Sequence, residues 1–304
     1  MISSYLPVLK NTSPNSPDWY KNFHTTFYLS QITNQVFLIY LETCIAEDQP
    51  KVINDLKESL IAEKSIKQLA DGAIRITKPD FVKSKHIEYV IDGVISKIAE
   101  RPFLVHNLLL GMGLTLGMGL TEATEADLIS INKNDLIKST TSKNWFDLLK
   151  CLLNVWEFIF LYGTVESTLK EILSKYGQVR EEALPAEIFA KFPQLSDFLN
   201  IKQVELEKIW AFYTELRNIY VHNHGLINSR IRTNLGGKLH DFKNAIYEIH
   251  KETILLLDLE EILRKDRIQN NKFYFMRDPE LNVFRNTIIN FMETLESLHT
   301  SNSG

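Results

Sequence analysis

The segment ELRNIYVHNHG, residues 215–225, brings together side chains that can act on a phosphodiester. In it, Arg217 and Asn218 precede His222 on an otherwise apolar helical stripe. RNA supplies its own 2′-hydroxyl nucleophile, so its cleavage needs a base that titrates near neutrality and a cation beside the phosphate, and no metal. His222 is the expected base, or the acid for the leaving 5′-oxygen, because imidazole titrates at about pH 6.5. Arg217 is expected to hold the scissile phosphate.

Helical geometry constrains this group of residues. Asn218 and His222 lie about 40° apart around an ideal helix, whereas Arg217 and His222 lie about 140° apart. Asn218 is therefore predicted to orient the imidazole, while Arg217 reaches it less easily. Two arrangements overcome the separation: a last turn that unwinds before Gly225, or a second copy of the motif supplied by a symmetric partner.

Structural roles compete with the catalytic ones. Arg217 can tie helices together by pairing with Glu215 or Glu166, and a histidine near a helix C-terminus is favoured by the helix dipole. Glu166, on an earlier predicted helix, is either a buried partner that positions Arg217 or an ordinary surface glutamate. His224 is an auxiliary acid, a phosphate contact or an exposed loop residue.

Basic residues follow the motif. Arg230, Arg232 and Lys238, with Lys243, face only Asp241 as a local acidic residue. A local excess of positive charge is what an RNA-binding rim needs, and a solvated basic loop is the alternative.

The sequence pattern RNxxxH, followed by a polar residue and a nearby glycine, resembles the Rx4-6H motif of the HEPN superfamily. The resemblance covers roughly residues 145–298, but its core is only a dozen residues long. It implies a small all-α bundle with the motif at the end of a long helix. It also implies a metal-independent endoribonuclease without a cofactor, acting on RNA as a homodimer whose paired motifs form one composite site.

HEPN ribonucleases are frequent in toxin–antitoxin and phage-defence systems, so the resemblance implies an antitoxin or another defence protein as a partner. Its alternative implication is a non-catalytic module that binds a nucleotide or a protein. In toxins paired with nucleotidyltransferases, a tyrosine commonly stands two residues after the motif histidine. Here that position holds His224, which puts neutralisation by adenylylation in doubt.

Composition excludes several other classes. Lys and Arg number 34 against 38 Asp and Glu, for a net charge of -4, so a polycation that coats nucleic acid is excluded. The distant cysteines, Cys44 and Cys151, argue against a disulfide framework and favour reducing cytoplasm. Neither a signal peptide nor a membrane span is predicted, and no recognised metal, P-loop or dinucleotide motif occurs.

The periodicity predicts a mainly α protein with, at most, a minor β element, divided at a polar stretch (121–144) into an N-terminal helical domain of unknown role (1–144) and a HEPN-like helical domain (145–304). The predicted helices cover residues 18–46, 50–70, 87–99, 145–176, 203–222 and 279–298, with short helical pieces over 184–199. Gly225 is expected to end the helix that carries the motif. Gly236 and Gly237 are assigned to a polar loop, residues 247–258 to a strand or a helix, and the glycine-rich segment 108–120 to a buried segment or packed loop.

Overall fold

The computed structural model describes residues 9–79, 81–82, 85, 88–89, 145–174, 184–199, 201–249 and 268–302. The glycine-rich segment, the polar stretch 121–144 and most of the predicted helix 87–99 lie outside these residues. So do residues 250–258 of the segment predicted as strand or helix.

The described part of the chain is mainly helical, as predicted. Its elements are α1 (Asp18–Ala62), β1 (Ile66–Gln68), β2 (Ile74–Ile76), α2 (Trp145–Ser174), α3 (Leu184–Lys191), α4 (Leu195–Leu199), α5 (Gln203–His222), α6 (Ser229–Ile249) and α7 (Asp278–Asn302).

The first helix differs from the two that the sequence predicts. α1 continues through Pro50, where the sequence predicts the start of a second helix. A proline there removes one backbone donor from the helix. α1 then ends at Ala62 because Lys64 turns into the left-handed region, with φ 53°. Ile66–Gln68, predicted as helix, is strand β1.

β1 and β2 form the minor β element. They pair antiparallel with Ile66 opposite Ile76, and Gly72, at φ 85°, lies in the turn between them. The alternation around Ile74–Ile76 is too short to identify a strand by itself, so only the pairing with β1 defines the element.

α6 corrects the predicted loop at Gly236 and Gly237, which lie inside this helix. Its apolar residues recur at helical spacing and are buried: Ile231, Leu235, Leu239, Phe242 and Ile246. Asn228 caps its start, since its Oδ1 accepts a hydrogen bond from the Ile231 amide at 2.9 Å. Packing of this face outweighs the helix propensity lost at two glycines, about 1 kcal/mol each.

The described residues fall into two compact units, the first within 1–41 and 149–304 and the second within 42–148. The predicted boundary at residue 144 differs from this partition, because the start of the chain packs with the C-terminal helices. Leu9, Trp19, Phe23 and Phe27 join the same buried core as the residues of α2 and α5 to α7.

Aromatic rings fill the centre of the first unit. Phe158 of α2 lies 4.9 Å from Phe284 of α7 and 5.8 Å from Tyr213 of α5, measured between ring centroids. Phe212 stacks on Phe242 of α6 at 4.5 Å. Because these rings come from four helices, they fix α5 against α2, α6 and α7.

A buried ion pair crosses this core. Arg285 of α7 donates from Nε to Oε1 of Glu157 at 2.7 Å and from Nη2 to Oε2 at 2.6 Å. Glu157 is 0% exposed and Arg285 5%. Asn34 of α1 donates a third hydrogen bond to the same carboxylate. The three side chains therefore join α1, α2 and α7 around one buried charge.

Candidate functional site

α5 positions the candidate catalytic residues, and its bounds are those predicted from the sequence. Its buried stripe consists of Leu206, Ile209, Phe212, Tyr213, Leu216, Ile219 and Tyr220. Trp210 stacks on Tyr162 of α2 with ring centroids 4.9 Å apart. Anchoring on these residues leaves the helix end at His222 exposed and places Arg217 and Asn218 partly exposed.

Two tyrosine hydroxyls fix α5 to α7 and to the segment that precedes it. The Tyr213 hydroxyl donates to the Glu280 carbonyl at 2.9 Å, and the Tyr220 hydroxyl donates to the Tyr274 carbonyl at 3.0 Å. Burial, with a smaller contribution from the Glu280 carboxylate, raises the pKa of Tyr213 well above its usual range. Tyr213 therefore stays protonated and serves as a structural donor.

Arg217 and His222 meet in one chain. Arg217 Nη1 lies 3.3 Å from His222 Nε2 and donates to Asn218 Oδ1 at 3.0 Å. A guanidinium has only donors, so this contact is a hydrogen bond in the imidazole tautomer that carries its proton on Nδ1 and accepts at Nε2. The long arginine side chain spans the angular separation, and the helix remains intact through His222.

The Asn218 side chain makes a different contact from the one predicted. In the described structure its Oδ1 accepts from Arg217, and no hydrogen bond joins it to His222. The amide thus holds the guanidinium, and the guanidinium holds the ring. An ideal helical wheel predicts instead that Asn218 contacts the imidazole and that Arg217 reaches it less easily, because the wheel takes no account of side-chain length.

The chain turns sharply after His222. The amides of Asn223 and Gly225 both donate to the Ile219 carbonyl, at 3.1 and 3.0 Å. His224 and Gly225 adopt positive φ values of 52° and 77°, so Gly225 ends the helix as predicted. A Cβ at Gly225 would lie 2.0 Å from Phe273, which leaves room only for glycine.

A short ladder then secures the turn. The Tyr274 amide donates to the Gly225 carbonyl at 2.9 Å, and Leu226 forms an isolated antiparallel bridge with Phe273. Ile227 donates to the Lys272 carbonyl at 3.0 Å. The backbone beside His222 is therefore held by the segment that precedes α7.

The sequence leaves more than one role open for Glu166 and for His224. Glu166 lies partly buried on α2, and within the described residues it makes no hydrogen bond or ion pair with Arg217. A buried acid that sequence reasoning missed is Glu157, on the same helix. Its signal was an acidic residue inside the apolar run CLLNVWEFIF. His224 is exposed, and no hydrogen bond holds its ring among the described residues.

The predicted basic rim lies on α6. Lys238 Nζ bonds to Glu215 Oε2 of α5 at 2.9 Å, so its charge is balanced. Arg230 lines a cleft of about 260 Å³ with Glu215, Asn223, Asn228, Ile231 and Asn234. Arg232 borders a neighbouring cleft with Ser229, Thr233, Gly236 and Asn270. Arg217 and His222 are outside both lining sets, although Asn223 follows His222 directly.

In the part of the chain that the structure describes, three or more His, Cys, Asp or Glu side chains nowhere group in a way that could hold a metal ion. No helix in this part of the chain has the length and apolar character needed to cross a membrane.

Comparisons of the chain with protein-family models, with curated proteins and with solved structures find no match. The resemblance to HEPN domains therefore rests on the motif at the end of α5.

Proposed function

We propose that this chain is a metal-independent endoribonuclease of HEPN type, acting as a toxin or an anti-phage effector. One observation carries the proposal: the 3.3 Å contact between Arg217 and His222 at the exposed end of a helix that buried aromatic rings hold in place. A cation and a neutral imidazole side by side are what cleavage by a 2′-hydroxyl requires.

The resting contact defines the first step. Arg217 occupies the Nε2 lone pair of His222, so that nitrogen cannot act as a base until the guanidinium moves. A phosphate is a stronger partner for arginine than a neutral imidazole, because it accepts two charge-assisted hydrogen bonds. Binding of the scissile phosphate by Arg217 therefore frees His222 Nε2.

The chemical step transfers the phosphorus from the 5′-oxygen to the 2′-oxygen. Nε2 takes the proton of the 2′-hydroxyl, the 2′-oxygen forms a bond to phosphorus, and the bond from phosphorus to the 5′-oxygen breaks. A protonated His222 of a second copy donates to that 5′-oxygen. The products are a 2′,3′-cyclic phosphate and a 5′-hydroxyl. Two copies of the exposed helix end around a two-fold axis supply both roles.

The three residues of the predicted basic rim differ in whether an acidic side chain balances their charge. Arg230 and Arg232 have no ion-pair partner among the described residues, so we assign both to contacts with the RNA. Lys238 is paired with Glu215, and its role is to position that carboxylate.

The test compares matched variants of the full-length protein on total RNA. Arg217→Ala should reduce cleavage by about 100- to 1,000-fold, the usual cost of losing one donor to the transition state, and His222→Ala by at least about 100- to 10,000-fold, because this residue supplies both the base and the acid. Both substitutions should also remove toxicity on expression, and EDTA should leave wild-type cleavage intact. Lys202→Ala, just before α5, and His240→Ala, on α6, remove an exposed basic side chain and an exposed imidazole, and both variants should retain cleavage.

The alternatives give different results. Cleavage that disappears with a chelator refutes the mechanism. Nucleotide or protein binding by a purified dimer without any RNA turnover indicates the non-catalytic module instead. Sedimentation that shows only monomer at the concentrations where RNA is cleaved refutes the composite site.

A further inference from the structure

The cleft between α5 and the start of α6 contains several polar side chains that lack a hydrogen-bonding partner in the described structure. Asn223, Asn234 and Arg230 make no side-chain hydrogen bond or ion pair with the described residues. Asn228 engages only its Oδ1, in capping α6. These polar groups surround a cleft of about 260 Å³, so their donors and acceptors are available to a ligand.

The two walls of the cleft have opposite charge. Glu215 stands on α5, with a side chain 12% exposed, and Lys238 holds its Oε2. Its Oε1 has no partner in the described structure. Arg230 is exposed at the first turn of α6. A ligand between them must present donors to the carboxylate and acceptors to the guanidinium.

Among the four RNA bases, guanine matches this pattern. It alone carries two adjacent donors, N1–H and N2–H, and these suit a carboxylate. Its O6 and N7 are two adjacent acceptors, and these suit an arginine. The other bases place an acceptor beside the donor on the edge that would face Glu215.

We infer that this cleft binds the guanine of a nucleotide next to the scissile phosphate, and so sets the cleavage specificity. The inference rests on the proposed function for its biological role. Asn223 connects the two sites, because it lines the cleft and directly follows His222. Ile231, 9% exposed, supplies an apolar surface for the base.

Binding can be measured without turnover in His222→Ala protein. In calorimetric titrations with GMP, AMP, UMP and CMP, GMP should bind at least about 10-fold more tightly than the others, a difference of about 1.4 kcal/mol. Adding Arg230→Ala or Glu215→Gln should weaken GMP binding by about 5- to 150-fold, the value of one bidentate base contact. Glu205→Gln, an acid-to-amide change at the start of α5, should leave it unchanged.

Glu215→Gln also removes an ion pair to Lys238, so each variant is first checked by thermal unfolding. A variant that does not fold is replaced by Asn234→Ala, which alters the cleft from an exposed position. Equal affinity for the four nucleotides, no binding of any, or a GMP preference that survives both Arg230→Ala and Glu215→Gln would overturn the inference.

Mapping of cleavage sites in wild-type digests separates the two proposals. RNA cleavage without a guanine beside the cut refutes the guanine cleft and leaves the ribonuclease standing. Selective GMP binding by a protein that never cleaves RNA supports the cleft and refutes the ribonuclease.

Discussion

The buried pair between Glu157 and Arg285 offers a sharp test of how the first unit is held together. Replacing Arg285 with methionine keeps most of the side-chain volume but leaves the Glu157 carboxylate, 0% exposed, with only the Asn34 hydrogen bond. Stranding a buried charge in this way destabilises a protein by about 3–5 kcal/mol. For a unit of this size that corresponds to a fall in Tm of about 6–20 °C.

The double variant Glu157→Leu with Arg285→Met should lose much less stability than the two single variants together. Both charges leave together, and the remaining penalty is the Asn34 amide without its acceptor, about 1–3 kcal/mol. Independent effects would instead add to about 6–10 kcal/mol. The difference is the coupling energy of the pair, since the two side chains are in direct contact.

Urea unfolding followed by circular dichroism gives the free energies of unfolding for the four proteins of this cycle. Lys21→Met is the matched control, because Lys21 pairs with Asp18 at a solvent-exposed site and its loss should change stability by less than about 1 kcal/mol. The reasoning fails if Arg285→Met costs no more than Lys21→Met, or if the double variant loses the sum of the two single losses.

Two further perturbations follow from the same structure. Gly225→Ala should lower stability by about 2–4 kcal/mol, because alanine is strained at φ 77° and its Cβ would overlap the Phe273 ring, whereas Gly163→Ala, in open space on α2, should be neutral or stabilising; equal Tm changes in the two variants would contradict this account. Burial lowers the pKa of His24 below its usual 6.5, so stability should be unaffected above about pH 6.5 and should fall as the pH drops below it, since the unfolded chain then binds more protons; thermal unfolding between pH 8 and 5 should show this slope in the wild type and a shallower one in His24→Phe, and identical slopes would rule it out.

Local patterns predict some elements well. α5 follows from its apolar stripe and from Gly225, because both signals lie within one helix and its end. α6 does not, since Gly236 and Gly237 suggest a loop, and only burial against α5 overrides that preference. The hairpin is missed for the same reason: Ile66–Gln68 is a strand only because Ile74–Ile76 pairs with it.

The candidate site, like the fold, is predicted only in part by local sequence patterns. The motif residues come together as expected on one helix, but the order of contacts depends on side-chain conformation, which a helical wheel does not contain. Arg217 therefore reaches both Asn218 and His222. The cleft unites residues of α5 and α6, and the partners of Glu157 lie 123 and 128 residues away, so no local spacing could reveal either arrangement.

The discontinuous first unit has a consequence for synthesis on the ribosome. Ser16 donates a hydrogen bond to Glu296, 280 residues later, and Trp19 packs beside His299. The beginning of α1 therefore leaves the ribosome long before the helix that covers it, and its buried aromatic side chains lack these partners until α7 has been made. At roughly 5–20 residues per second, the interval between Ser16 and Glu296 lasts on the order of 14–56 seconds, during which α7 cannot yet cover this apolar surface.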